Sequence, residues 1–160
     1  MPKKIQILII GHNGNSITPE VAKIAYETGA EVARSGAVLI TGGMDGVMKA
    51  ACHGAKDAGG LTVGIIPQSD PSFANEYCDI VIPSGMGLAR DFLNALSGDG
   101  VIIIGGGSGT LSETCAAYMH KKPLFDTAKE FGIQNIVQEL QRLAKENKFY
   151  EPDPYLVSLK

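Results

Sequence analysis

Short apolar runs alternate with stretches of helical period along most of this chain. Six runs have the length and β-branched content of strands: Ile5–Ile10, Ala37–Thr41, Leu61–Ile66, Asp79–Pro83, Gly100–Ile104 and Pro123–Phe125. Several are apolar at every position, the pattern of a strand covered on both faces. Helical stretches fall at Thr18–Ser35, Met44–Gly59, Leu88–Ser97 and Gly109–His120, with a last one at Ile133–Asn147. Thr18 followed by Pro19 is a helix start, and Gly36 and Gly59–Gly60 are helix stops. Strand–helix–strand repetition with right-handed crossovers predicts an α/β fold: a Rossmann-like, doubly wound parallel sheet with helices on both faces. Residues 1–150 are expected to form this single domain, and 151–160, opening on Glu151-Pro-Asp-Pro154, a C-terminal tail.

Composition narrows the function classes. The net charge of −3 gives no electrostatic footprint for a nucleic-acid backbone, so no nucleic acid is expected as a partner. No apolar run is long enough to cross a membrane. Three dispersed cysteines, Cys52, Cys78 and Cys115, are odd in number and form no C-x-x-C pair, which points to a reducing, cytoplasmic setting rather than a disulfide framework. Cys115 lies in an apolar helical pattern and reads as a buried thiol. Neither the cysteines nor His12, His53 and His120 have metal-ligand spacing, so no metal site is expected.

The 20 glycines, roughly 12% of the chain against a usual ~7%, carry the chemistry. They cluster directly after strands, at the carboxyl edge of the sheet, where open α/β folds bind ligands. The strongest segment is Gly105-Gly-Gly-Ser-Gly-Thr-Leu-Ser-Glu113, which follows a strand and opens a helix. Bare amides at Gly106, Gly107 and Gly109, the helix dipole, and the hydroxyls of Ser108 and Thr110 suit an anion such as phosphate. The segment lacks the lysine of a Walker A loop and the third glycine of a dinucleotide fingerprint. Thr110-x-x-Glu113 also matches a capping box, in which Glu113 would only satisfy backbone amides. Thr41, Gly42, Gly43 and Gly46 form a second such turn, with Met44 and Met48 read as core. Gly11, Asn13, Asn15 and Ser16 supply a third, polar loop, in which His12 reads as a loop residue. Arg90, near a helix start after Gly85 and Gly87, suits phosphate or carboxylate, or pairs with Asp91 at the surface.

Taken in order, Gly42-Gly-Met-Asp-Gly-Val-Met48, Ala58-Gly-Gly60 through Gly64-Ile-Ile-Pro67, Arg90, and Gly106-Gly-Ser-Gly-Thr110 with Glu113 resemble the Lonely Guy (LOG)-like superfamily. The likeness spans residues 5–147 and is greatest to its short branch, which includes molybdenum-cofactor carrier proteins. Hydrolases of that superfamily cleave the N-glycosidic bond of nucleoside 5′-monophosphates, releasing free base and ribose 5-phosphate, and need no cofactor for the chemistry. The resemblance places Glu113 at their acid and Arg90 at their arginine, both catalytic if the chain is an enzyme. Gly105 stands where those hydrolases have proline, and Asp91 where they have lysine. The resemblance to carrier proteins implies instead a bound nucleotide or molybdenum cofactor without turnover. It also implies a homo-oligomer, a dimer or tetramer, and a distant likeness to DNA-processing proteins. Base selectivity is expected from the loop Gln68–Glu76.

Overall fold

The computed structural model describes residues 3–14, 17–126 and 142. The helix expected at Ile133–Asn147, apart from Arg142, the tail 151–160, and the loop residues Asn15 and Ser16 lie outside them.

Strands β1 (Gln6–Gly11), β2 (Val38–Thr41), β3 (Leu61–Ile66), β4 (Ile80–Pro83), β5 (Gly100–Ile104) and β6 (Leu124–Asp126) form one sheet in the order β4-β3-β2-β1-β5-β6. Every pairing is parallel, with Leu8 of β1 opposite Ile40 of β2 and Val101 of β5. The described helices are α1 (Pro19–Arg34), α2 (Val47–Asp57), α3 (Arg90–Ser97) and α4 (Ser108–Met119). Each expected strand is present within a residue of its predicted bounds. The helix expected from Met44 starts instead at Val47, because Gly46 has φ +70°, a left-handed conformation no helix continues through. Leu88 belongs to a short 3₁₀ turn, Gly87–Ala89, that leads into α3.

The unbroken apolar runs of β1 and β5 have a direct cause. Successive side chains point to opposite faces, and both faces are covered. Ile7, Ile9, Leu39, Ile102 and Ile104 pack with α1 and α2 residues such as Ala25, Val32 and Ala51. Leu8, Ile10, Ile40, Val101 and Ile103 pack with Ala95 of α3 and Ala116 and Ala117 of α4. The chain winds from β1 to β4 in one direction, then crosses to β5 on the far side of β1. Right-handed crossovers therefore put α3 and α4 on the face opposite α1 and α2. The reversal occurs between β1 and β5, and loops that diverge there leave a crevice at their carboxyl ends.

Helix α4 corrects one expectation. Cys115 is exposed, not buried. This helix carries apolar residues on its outer as well as its inner side, with Leu111, Tyr118 and Met119 exposed beside Cys115. Periodicity alone cannot tell its two sides apart.

Two glycines serve packing rather than ligand. A Cβ on Gly29 would lie 1.9 Å from the Ala51 carbonyl oxygen, and one on Gly54 1.9 Å from that of Tyr26. Helices α1 and α2 thus cross with their backbones in contact. Gly29→Ala must push them apart, and we expect it to cost about 3 kcal/mol in urea unfolding. An unchanged midpoint would contradict this packing.

Candidate functional site

The carboxyl ends of β1 and β2 and the first turns of α3 and α4 enclose a cleft of about 320 Å³. Its lining includes Gly11, His12, Asn13, Gly42, Arg90, Asp91, Gly107, Ser108, Gly109, Thr110 and Glu113.

One wall is the entry to α4. Gly106 has φ +138°, and a Cβ there would lie 2.4 Å from that of Thr110, so only glycine lets the chain fold this tightly against the helix it opens. Gly107 is the N-cap residue, and no side chain caps the helix. The amides of its first turn have no acceptor within the helix and carry the positive end of its dipole. The capping-box alternative fails on geometry. Thr110 lies inside the helix rather than at its N-cap, and Glu113 turns away to meet α3.

The opposite wall is the start of α3. Arg90 is only 9% exposed. Its Nη1 stands 3.5 Å from Asp91 Oδ1 and 3.7 Å from Glu113 Oε1, while its Nε is buried without a hydrogen-bond partner. The surface pair anticipated for Arg90 is therefore a buried one with two carboxylates. Room for the guanidinium comes from the turn after β2: a Cβ on Gly42 would lie 2.6 Å from Nη1 and equally near the Met48 sulfur. Met48 is core, as expected, and also lines the cleft. Asn94, fully buried one turn along α3, donates from Nδ2 to Glu113 Oε1 at 2.8 Å, and its Oδ1 has no partner. Ser112 Oγ lies 2.7 Å from both Asp91 Oδ2 and the Gly109 carbonyl oxygen.

Burial pushes Glu113 up to about 7, and the nearby Asp91 charge adds to the rise; the Asn94 amide and Arg90 oppose it. Near neutral pH this carboxyl is poised between acid and anion. Buried polar groups are ordinarily paired, so the orphan donor on Arg90, which lines the cleft, fits a ligand that offers an acceptor.

The structure gathers Gly11, Asn13, Gly42, Arg90, Gly107, Ser108, Gly109, Thr110 and Glu113 around one space. Other candidates lie behind it. Thr41 is buried, where its Oγ1 accepts from the Gly43 amide and touches the Cys52 thiol. Gly46 lines a separate surface cleft with Gly14, Lys49, His53 and Tyr77. The loop Gln68–Glu76 does not line the cleft; its Asn75 braces the second glycine turn, donating from its backbone amide to the Gly43 carbonyl and from its side chain to that of Met44. Asn94 escaped the sequence reading. Its signal was a polar residue one helical turn after Arg90, on the same face of α3 as Arg90 and Asp91.

Comparison with known proteins agrees with the fold. The model of the SLOG cluster4 family matches residues 4–152. An uncharacterised protein of Archaeoglobus fulgidus is 42% identical over 120 residues, covering 75% of this chain and 78% of its own. Among solved structures, the molybdenum cofactor binding protein of Rippkaea orientalis is 39% identical with a TM-score of 0.76, over 91% of this chain and 86% of its own. The molybdenum cofactor carrier protein of Chlamydomonas reinhardtii is 30% identical with a TM-score of 0.78, over 89% and 99%.

Proposed function

The chain belongs to the SLOG cluster4 family, and from that membership we propose that it binds and carries a phosphate-bearing, nucleotide-like small molecule, the molybdenum cofactor foremost, at the carboxyl edge of its sheet. One observation carries the reading. An uncapped helix start and a buried arginine with an orphan donor face each other across one cleft. Phosphate sits on the first-turn amides of α4, from Gly107 to Thr110, with Arg90 opposite. The similarity to proteins described as molybdenum cofactor carriers supports this cargo. Differential scanning fluorimetry is the test. Either AMP or freshly released molybdenum cofactor should raise the melting temperature, by mass action on the folded state. If neither does, the reading fails.

A second reading rests on Glu113. An acid poised near neutral pH beside an arginine could activate water against an N-glycosidic bond. Incubation with AMP and isopentenyladenosine monophosphate separates the two readings. Free base that disappears in Glu113→Ala supports a phosphoribohydrolase; no base from either substrate removes it.

No described helix is long and apolar enough to cross a membrane. The free thiols at Cys52, Cys78 and Cys115 support a reducing, cytoplasmic setting. A homo-oligomer is part of the proposal. Phe92 and Leu96 of α3, with Leu111 and Met119 of α4, are exposed apolar residues on the two adjoining helices, a face suited to a second copy. Light scattering should return two or four times the chain mass, and a monomer mass would contradict it.

A further inference from the structure

We propose that Cys52 and Cys78 are a redox modification site: a small disulfide such as glutathione disulfide oxidises them to an internal bridge, which weakens binding in the cleft through the Gly42–Gly43 turn. The effect on binding rests on the reading above; the bridge itself does not.

Cys52 is fully buried on α2, and Cys78, half-buried just before β4, packs against the same core cluster. A Cβ on Gly64 would lie 2.6 Å from the Cys78 sulfur, so the bare backbone of β3 makes room for it. The two thiols hydrogen-bond to each other. That bond holds the Cys52 thiol below its ordinary value against the pull of burial, with help from Thr41 and Asn75; the same bond, and burial, push Cys78 up. Thr41 Oγ1 stands 3.4 Å from the Cys52 sulfur. Thr41 and Asn75 also clamp the second glycine turn. Thr41 Oγ1 accepts from the Gly43 amide at 3.0 Å, and the Asn75 amide donates to the Gly43 carbonyl at 2.8 Å. Gly42, next in the chain, packs on the Arg90 guanidinium. The thiol pair thus stands behind the turn that seats the arginine of the cleft.

Exchange takes two steps. Cys78, the reachable thiol, gives up its proton and attacks one sulfur of the small disulfide. A mixed disulfide forms, and the other half leaves as a thiolate and takes that proton. Cys52, its thiolate favoured by Thr41 and Asn75, then attacks the Cys78 sulfur, and the second half leaves as a thiolate and takes the Cys52 proton. Two protein thiols are oxidised, and one small disulfide is reduced to two thiols. The bridge replaces the Thr41–Cys52 contact and draws α2 toward the segment after Asn75, so both clamps on Gly43 shift, and a close-packed interior passes the shift to Arg90.

The test uses the full chain carrying Cys115→Ser, which removes the exposed thiol on the outer side of α4, equilibrated with excess glutathione disulfide. Non-reducing peptide mapping should recover the Cys52 and Cys78 peptides joined, with both thiols gone, and dithiothreitol should restore them. In the same background Cys78→Ser should leave Cys52 a free thiol, because no reachable thiol remains to start the exchange. Titration calorimetry at pH 6 should find AMP bound about 5-fold more weakly by the bridged chain, with full recovery on reduction. Thiols that persist, or a glutathione adduct on Cys78 that never resolves, overturn the bridge. A bridge that leaves AMP affinity unchanged overturns its hold on the cleft. If neither form binds AMP, the cleft reading falls and the effect on binding with it, while the joined peptides still decide the bridge.

Discussion

Arg90→Ala will bind AMP at pH 6 about 100-fold more weakly than the parent chain, the usual scale for deleting one partner of a buried charge pair. The guanidinium is buried at the start of α3, yet its Nε has no partner and its nearest carboxylate contact is 3.5 Å. Its hydrogen-bonding capacity is therefore largely uncommitted, which is the condition under which a phosphate gains most from it. Removing it also leaves Asp91 and Glu113 as neighbouring buried carboxylates, so some loss of stability will accompany the loss of binding. Arg90→Lys separates the two effects. It keeps the positive charge between the carboxylates but not the planar fork, and should retain the fold while losing about 10-fold in affinity. Titration calorimetry on both variants is the check. An AMP affinity unchanged in Arg90→Ala would remove the arginine from the site.

The second large effect concerns stability against pH. The Glu113 carboxyl is raised by burial from its ordinary 4.5 to about 7 in the folded chain. Between those values the folded chain holds a proton that the unfolded chain has released. The favourable contribution of the protonated group is complete below pH 4.5 and is lost as pH rises through 7. Glu113→Gln keeps the neutral shape and cannot ionise. The variant should match the parent chain near pH 4 and exceed it by about 2–3 kcal/mol at pH 8. Urea unfolding across that range reads the difference directly, and two parallel stability curves would contradict it. Ligand binding follows the same sign. Ionised Glu113 competes for Arg90, so the parent's AMP affinity should fall relative to the variant's as pH passes 7. Taking the ratio of the two proteins cancels the titration of the phosphate itself.

The sheet was legible in the sequence because its strands are covered on both faces, so the runs Ile7–Ile10 of β1, Val38–Ile40 of β2 and Val101–Ile104 of β5 had to be apolar. The crevice followed from topology, since glycine turns after parallel strands all fall on one edge. What could not be read were contacts between elements distant in the chain. Gly29 and Gly54 look like any other glycines in sequence, and only the crossing of α1 over α2 gives them a purpose. Thr41 stands beside the site in sequence, but its hydroxyl is taken up within its own turn, accepting from the Gly43 amide. Cys115 was misplaced because α4 is apolar on two sides, and local period does not record which one meets the sheet. Asn94 depends on the pairing of α3 with α4, which brings its amide to Glu113 across 19 residues. The charge balance of the cleft was half visible. Asp91 stood out as a departure from the hydrolase pattern, but its place beside the Gly109 backbone required the fold.

Amide chemical shifts of the ¹⁵N-labelled chain, followed during titration with AMP at pH 6, go to the centre of the matter. Saturable shifts should concentrate at Ser108, Gly109 and Thr110, the uncapped first turn of α4. If those three amides stay unmoved while shifts gather elsewhere, such as the surface cleft of Lys49, His53 and Tyr77, the phosphate does not bind where the fold places its cradle.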